Sequence, residues 1–152
     1  MRYLAKRVER ICDELYRLRI VQRMEWTERG PVRATLEIER KVSRSVICQK
    51  IHFYAACPRI DFETTVDWKE HQHLLKAHFP MDVHTDEATF EIQFGNVTRK
   101  THQNTSWDQA RFESCGQKWI DVSEGHYGIS LLNDCKYGHS VHNGEMALTL
   151  IK

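Results

Sequence analysis

Residues 59–68 read RIDFETTVDW and alternate between two kinds of side chain. Apolar or β-branched side chains occupy the even-numbered positions, whereas charged residues or threonine occupy the odd-numbered positions. Successive side chains of a β-strand point to opposite faces of a sheet, so this pattern predicts a strand with one face buried and one face in water. The fold is therefore expected to be built from half-buried strands.

The same period of two recurs on both sides of this stretch. Gly30-Pro31 is a strong breaker, and polar turns separate the runs that follow it. The other seven runs cover residues 34–42, 47–54, 75–79, 90–94, 119–122, 127–132 and 146–151. Eight short runs of this kind predict an all-β fold, of which we favour an antiparallel β-sandwich over a barrel. Asn143-Gly144 predicts a hairpin turn between the last two runs.

Residues 1–25 follow a different, helical period. Their apolar side chains recur at spacings of three and four, as one stripe of a helix does: Leu4, Val8, Ile11, Leu15 and Leu18. We therefore predict a short N-terminal helix that packs this stripe on its own domain. Its basic residues leave a membrane surface or a partner as the alternative. The predicted organisation is a segment in residues 1–25 that is helical, or else a strand whose period is misread, and a β-sandwich in residues 26–152.

The composition of the 152 residues excludes several classes of function. The 22 Lys and Arg residues balance 21 Asp and Glu, so no general attraction to nucleic acid is expected. No apolar run is long enough to span a membrane, and the N-terminus lacks the apolar core of a signal peptide, so we expect a cytoplasmic protein. The five cysteines include no CxxC pair, which argues against a disulfide framework or a cysteine-rich zinc site.

The nine histidines raise the question of a metal site. His71 and His73 would share one face if this segment were a strand, and His84 or Asp86 could supply a third ligand. Zinc, however, needs three or four ligands that converge on one point. The spacing shows no such convergence, so we predict no metal site in this chain and interpret these histidines as surface residues beside a turn.

Three polar features remain as candidates for binding or catalysis. Asp61 and Glu63 could form a glycosidase-type carboxylate pair, but a solvent-facing strand explains them better. Residues 95–116 are polar and irregular, and we interpret them as a long functional or docking loop. Residues 133–138 read NDCKYG and follow an apolar strand, which fits either a plain turn or a loop that hydrogen-bonds a polar ligand.

Several motifs resemble the C-terminal domain of the class II α-mannosidases, glycoside hydrolase family 38. They are RIDFETTVDW at 59–68, FPMDV at 79–83, FGNVTR at 94–99, NTSWD at 104–108, SEGHYG at 123–128 and LLNDCKYG at 131–138. The last two are the most specific, and they resemble the cytosolic and bacterial branch of the family. The resemblance opens at Gly30 and runs to Lys152, so it covers about four-fifths of the chain.

The resemblance implies a galactose-mutarotase-like β-supersandwich, incomplete in this chain, which we expect to be a fragment. The family hydrolyses terminal α-D-mannose with retention, using a zinc ion and an Asp nucleophile in an N-terminal catalytic domain. Nothing in this chain resembles that domain, so we expect no catalytic residue and no zinc ligand here, and no activity of the chain alone. The expected partners are the catalytic domain of the same polypeptide and a mannose-containing oligosaccharide. A homo-oligomer is kept as an alternative, because open sheet edges favour self-association.

The resemblance also implies a substrate-binding turn. In the Golgi and lysosomal branch, an Arg that contacts substrate follows the Asp that matches Asp134. This chain has Cys135 there, and a thiol cannot make the charged, bidentate contact of a guanidinium. Either Lys136 or Tyr137 could substitute for that Arg, or the loop could serve another purpose. Asp134 matches across the branches and is the first candidate for a substrate contact, and Asn133 is a further candidate.

Arg99, Trp107 and Asp108 are the candidates for a cleft loop or for docking on the catalytic domain. All three lie in the irregular segment, within motifs that resemble the family. Two further hypotheses stay open, namely a stand-alone carbohydrate-binding sandwich and a docking or oligomerisation domain.

Overall fold

The computed structural model describes residues 21–152. Within them the chain forms twelve β-strands and one short helix, and all strand pairings are antiparallel. The prediction of an all-β, antiparallel fold is thereby confirmed. The chain divides into two compact units, Met1–His71 and Gln72–Lys152, of which the first is described from residue 21 onward.

The first unit contains one four-stranded sheet in which the strands follow their order in the sequence. Its strands are β1 (Val21–Arg29), β2 (Arg33–Val42), β3 (Ser45–Tyr54) and β4 (Ile60–Asp67). Leu36, Ile38, Ile51 and Phe53 form the buried cluster of this unit. Alternation therefore places the apolar side chains on one face of the sheet, as predicted.

Strand β4 is the stretch whose alternation first indicated the fold, but its apolar face is less buried than expected. Phe62 keeps 60% of its surface exposed, and Ile60 is exposed as well. The register pairs these residues with Ile51 and Phe53, which are buried on β3. Because β4 is an edge strand, it has a neighbouring strand on one side only.

The second unit contains two four-stranded sheets. One has the order β10-β9-β6-β7 and the other has the order β5-β12-β11-β8. In chain order the elements are β5 (Leu75–Pro80), β6 (Glu87–Ile92), β7 (Gly95–Lys100), helix α1 (Ser106–Ala110), β8 (Ser114–Cys115), β9 (Trp119–Glu124), β10 (Tyr127–Leu132), β11 (Gly138–His142) and β12 (Glu145–Ile151). One core cluster takes residues from both sheets, with Phe90 and Ile120 from the first and Val141 and Met146 from the second. This shared core makes the unit sandwich-like.

The helical prediction is wrong for residues 21–25, because these residues lie in β1, which agrees with the strand alternative. The rest of the predicted helix, residues 1–20, lies outside the described residues. The pairing of β1 with β2 contains an irregularity between Val21 and Arg23. A bulge of this kind adds a residue to the strand, so the apolar residues Val21, Met24 and Trp26 lose the strict period of two.

The prediction of a loop over residues 95–116 is also wrong in part. Residues 95–100 form β7, residues 106–110 form α1, and residues 114–115 form β8. Strand β7 was not predicted, because it is an edge strand whose side chains are mostly polar and exposed. Only Val97 and Arg99 are partly buried in it.

Strand β11 was likewise missed, although the turn that follows it was predicted. Asn143 and Gly144 have φ angles of 54° and 73° and join β11 to β12. Positive φ at both positions is what a tight hairpin turn of this type requires, and Asn-Gly satisfies it with little strain. The hairpin prediction is confirmed, with β11 as the strand before the turn.

Candidate functional site

Residues 133–137, named here the strand-end turn, connect β10 to β11. Asn133 builds this turn. Its Oδ1 accepts a hydrogen bond from the Lys136 backbone N–H at 2.7 Å, and its Nδ2 donates to the Gln117 carbonyl at 3.0 Å. Its own N–H donates to the Lys118 carbonyl at 2.8 Å. The first bond closes the turn and the other two fix it to the chain entering β9, so Asn133 shapes the site.

The exposed part of the strand-end turn carries Asp134, Cys135 and Tyr137, while Lys136 is half-buried. The Cys135 thiol donates a hydrogen bond to the Asp134 carboxylate, and this is the main cause that lowers the pKa of Asp134. The positive charges of Lys118 and Lys136 lower that pKa further. The turn therefore presents an ionised carboxylate beside a phenol and an ammonium group.

Cys135, next to Asp134 in the strand-end turn, behaves as a hydrogen-bond donor. The bond to Asp134 raises the pKa of the Cys135 thiol, and burial raises it further. A thiol with a raised pKa stays protonated at neutral pH, and the thiol is a poor nucleophile compared with the thiolate. Cys135 thus supports the carboxylate of its neighbour and is unsuited to covalent catalysis.

Lys118 is a residue of the site that the sequence analysis missed. Its ammonium group donates to the Asp134 carbonyl, and its backbone N–H donates to Glu91 Oε2 at 2.5 Å. The register of β9 with β10 pairs Trp119 with Leu132 and so brings Lys118 opposite Asn133. The sequence signal that could have located Lys118 is the register of the β9–β10 hairpin, extended by one residue beyond the paired strands.

His139 lies beneath the strand-end turn and has no exposed surface. Its Nδ1 is 3.3 Å from the Tyr137 carbonyl oxygen, and its Nε2 is 3.4 Å from Asn133 Nδ2. The Gly116 N–H also donates to the Tyr137 carbonyl, at 3.0 Å. Desolvation by burial lowers the pKa of His139, which favours the neutral imidazole.

Arg99 is connected to the same region through Phe90. The Arg99 guanidinium lies 4.5 Å above the Phe90 ring, and its Nη1 donates to the Cys115 carbonyl at 2.9 Å. The His139 ring contacts Phe90 edge-on, with the ring centroids 6.5 Å apart. Phe90 therefore packs against both Arg99, a docking candidate, and the histidine beneath the substrate-binding candidates.

Trp107 and Asp108 lie on helix α1. Thr105 caps this helix, with its hydroxyl and its N–H both bonded to the Asp108 carboxylate and with Asp108 N–H bonded to Thr105 Oγ1. The hydrogen bond from the Thr105 hydroxyl is the main cause that lowers the pKa of Asp108. Asp108 is therefore occupied in capping, whereas Trp107 is 78% exposed and available for contact.

Comparison with known proteins identifies the family of the chain. The family model for the glycosyl hydrolases family 38 C-terminal domain matches residues 7–152. The chain belongs to this family. The match extends N-terminal to Gly30, where the resemblance of the motifs begins.

Relatives of this family 38 chain carry the name α-mannosidase. The chain is 42% identical to α-mannosidase G of Dictyostelium discoideum over 135 residues, which are 82% of this chain and 12% of that protein. It is 46% identical to α-mannosidase 2C1 of Homo sapiens over 71% of the chain and 10% of the relative. It is also 46% identical to an α-mannosidase of Saccharomyces cerevisiae over 64% of the chain and 9% of the relative. The chain thus spans about one tenth of the length of these relatives.

The described residues of this family 38 chain do not fit a zinc site. Among residues 21–152, no group of three or more His, Cys, Asp or Glu side chains is placed to hold a metal ion. His71 and His73 lie between β4 and β5, outside any strand, and Gln72 between them has a φ of 58°. His71 and His73 therefore do not share one face of a strand. The location of the zinc ligands in a catalytic domain stays a prediction.

The carboxylates of β4 are engaged in local bonds. Asp61 accepts hydrogen bonds from Arg59 Nε at 2.5 Å and from the Tyr54 hydroxyl at 2.8 Å. The bond from Arg59 is the main cause that lowers the pKa of Asp61. This arrangement agrees with a solvent-facing, ion-paired strand. As to membrane crossing, no helix within residues 21–152 has the length and apolarity for it.

Proposed function

We propose that this chain is a non-catalytic C-terminal piece of an α-mannosidase that hydrolyses terminal α-D-mannose with retention. In this proposal the strand-end turn lies at the sugar cleft, and the rest of the chain packs on the catalytic domain of the same polypeptide. Family membership and the names of the relatives support the proposal. The observation that carries it is the strand-end turn itself, which holds Asp134 ionised and exposed on a fixed backbone.

The chemistry of the turn suits a sugar. An ionised carboxylate accepts strong hydrogen bonds from hydroxyl groups, and Asp134 has the lowered pKa that this task needs. The exposed Tyr137 offers an aromatic face to sugar C–H groups and a hydroxyl that donates or accepts. Lys136 adds a donor. Cys135 takes the place of the family's Arg, so we expect the contacts of this branch to differ from those of the Golgi branch.

In the proposed enzyme, the catalytic domain and this chain have different roles. The nucleophile and the zinc ion belong to the catalytic domain, and this chain contributes orientation of the sugar. The resemblance to the cytosolic and bacterial branch supports a cytoplasmic location for the enzyme. A docking domain is the second candidate function, and the exposed Trp107 on a capped helix is the observation that favours it.

The test is a chimera in which this chain replaces the matched segment of Dictyostelium α-mannosidase G. With a chromogenic α-D-mannoside, we expect the chimera to be active and the Asp134→Ala variant to lose about 10- to 100-fold in kcat/KM, the value of one hydrogen bond to a charged group. Asp67→Ala is the matched control, because Asp67 is an exposed carboxylate on β4 that pairs with Lys69. The chain alone, assayed with added zinc, is expected to show no turnover.

Equal kcat/KM for the Asp134→Ala and Asp67→Ala chimeras would exclude a sugar contact at the strand-end turn. Zinc-dependent turnover by the chain alone would contradict its non-catalytic role.

A further inference from the structure

We infer that His139 is a positioning residue for the strand-end turn and that it acts as the neutral imidazole with its proton on Nδ1. The inference concerns a residue that never touches the sugar. It rests on the proposed function, because the turn affects catalysis only if the turn lies at the cleft.

The hydrogen-bond partners of His139 determine which nitrogen holds the proton. A carbonyl oxygen can only accept, so the ring nitrogen 3.3 Å from the Tyr137 carbonyl must donate, and this nitrogen is Nδ1. The second nitrogen, Nε2, is 3.4 Å from Asn133 Nδ2. An amide nitrogen can only donate, so Nε2 must accept and cannot hold a proton.

The orientation of the Asn133 amide is itself fixed by two other bonds. Its Oδ1 accepts from the Lys136 N–H at 2.7 Å, so the opposite atom is the nitrogen. That nitrogen donates one hydrogen to the Gln117 carbonyl at 3.0 Å and has one hydrogen left for His139. A flipped amide would set an N–H against the Lys136 N–H and a carbonyl against the Gln117 carbonyl. The network therefore has one consistent assignment.

The surroundings of the ring favour this neutral form. His139 has no exposed surface, and its ring packs edge-on against Phe90 in the core. Burial is the main cause that lowers its pKa, and the positive charge of Arg99 on β7 acts in the same direction. The Glu113 carboxylate, before β8, and the Tyr137 carbonyl raise that pKa but are outweighed. A buried imidazolium would lack the water that stabilises its charge.

The ring position is set by close packing. A Cβ on Gly116 would come within 3.1 Å of His139 Nδ1 and within 2.9 Å of Ile120 Cγ2. Glycine at this position lets the backbone approach the ring, and its own N–H donates to the Tyr137 carbonyl. One ring thus contacts Asn133 at the start of the turn and Tyr137 at its end.

Protonation of His139 would disrupt the hydrogen bonds that Asn133 makes in the turn. An N–H on Nε2 would face the N–H group of Asn133, and two donors cannot bond each other. The amide would have to rotate away, which would also release the Lys136 N–H from Oδ1. The side chains of Asp134 and Lys136 would then lose their fixed positions.

Three variants separate the two contacts of the ring. His139→Phe keeps the ring volume and removes both hydrogen bonds. His139→Gln keeps an acceptor near the position of Nε2, and His139→Asn keeps a donor near the position of Nδ1. In the active chimera, we expect His139→Phe to lose about 5- to 100-fold in kcat/KM, because it leaves buried polar groups of the turn unpaired. We expect a rise in KM to account for most of that loss and His139→Gln to recover part of it.

The direct measurement uses the unmodified 152-residue chain, so it does not depend on a variant that folds. Two-bond ¹H–¹⁵N correlation spectra of the histidine rings report which nitrogen holds the proton. At pH 7 we expect His139 to be protonated on Nδ1 alone. As the pH falls and His139 becomes charged, we expect the Asn133 side-chain and Lys136 amide signals to move with it.

These measurements distinguish failure of the inference from failure of the proposed function. A proton on Nε2 at pH 7 would overturn the inference, as would a titration of His139 that leaves the Asn133 and Lys136 signals unmoved. Unchanged KM for His139→Phe in a chimera that is sensitive to Asp134→Ala would also overturn it and would leave the proposed function standing. Insensitivity to Asp134→Ala would instead remove the proposed function and with it the catalytic relevance of His139.

Discussion

At the scale of single residues, the structure separates side chains that build the candidate site from side chains that face outward. Asn133 and His139 use their polar atoms on the turn itself, whereas Asp134 and Tyr137 are exposed. From the sequence, Asn133 and Asp134 were both candidates for substrate binding, because they are adjacent and both polar. Only the burial of His139 and the bonds of Asn133 show which residues shape the site.

Gly116 provides a prediction at this scale. We expect Gly116→Ala to destabilise the chain by about 1–3 kcal/mol, because its Cβ would press on Ile120 and on the buried His139 ring. Urea unfolding of the full chain measures the change. Gly95→Ala is the matched control, since no atom lies within 4 Å of a Cβ there. Equal unfolding midpoints for the two variants would contradict the close packing of Gly116.

At the scale of elements, the strands with strict alternation were predictable and the irregular strands were not. Strand β4 and strand β10 follow the period of two, so the sequence located both. The bulge in β1 interrupts the period of two. Edge strand β7 carries mostly polar side chains and therefore lacks that period. Periodicity detects a strand only where apolar and polar residues alternate, so the bulged β1 and the polar edge strand β7 escape it, whereas the edge strands β4 and β10 do not.

The candidate site was predictable to a similar extent. The motif around Asp134 located the strand-end turn, because a polar cluster follows an apolar strand there. Lys118 and His139 could not be placed in the site without the pairing of β9 with β10 and the packing of the core. Contacts between distant parts of the chain are set by tertiary structure, which the local pattern does not contain.

Helix α1 provides a prediction at the scale of elements. It has only five residues, so its order depends on the capping box of Thr105 and Asp108. We expect Thr105→Ala to destabilise the helix by about 1 kcal/mol and to speed amide exchange at Asp108 and Gln109. Thr105→Ser keeps the hydroxyl and is the control. Unchanged exchange in Thr105→Ala would show that the cap does not hold α1.

The same cap should respond to acid in a known direction. The folded state lowers the pKa of Asp108, so the unfolded state binds the proton more readily. The contribution of this carboxylate is then fully present above the ordinary pKa of Asp, about 4, and is lost as the pH falls through the lower value of the folded state. The protection of the α1 amides, taken relative to their intrinsic exchange rate at each pH, should therefore fall below about pH 4, and much less so in Thr105→Ala.

At the scale of the whole molecule, the chain matches about one tenth of each α-mannosidase with which it aligns. In the proposed enzyme, the surface of this chain is that of one part of a larger protein. Trp107 is the largest side chain among the exposed docking candidates, and a short capped helix holds it outward. Exposed Trp residues are over-represented at the centres of protein interfaces.

We therefore expect Trp107 to contact the catalytic domain in the proposed enzyme. The 152-residue chain, mixed with α-mannosidase G that lacks the matched segment, should bind it, and Trp107→Ala should weaken that binding by about 30-fold or more, the threshold of an interface hot spot. Phe94→Ala is the control, because Phe94 is a fully exposed aromatic residue at the turn between β6 and β7. Equal affinities for the two variants would place the interface elsewhere.

The bond between the Cys135 thiol and the Asp134 carboxylate has a consequence for oxidation chemistry. The thiolate is the form that attacks hydrogen peroxide and alkylating reagents, and this bond raises the pKa of Cys135 and so depletes its thiolate form. An exposed cysteine would ordinarily be an early target of oxidants, and a sulfenic acid there would add a polar oxygen beside the carboxylate. The neighbouring carboxylate instead lowers the thiolate fraction of this cysteine. We therefore expect Cys135 to react with oxidants more slowly than its exposure alone would predict.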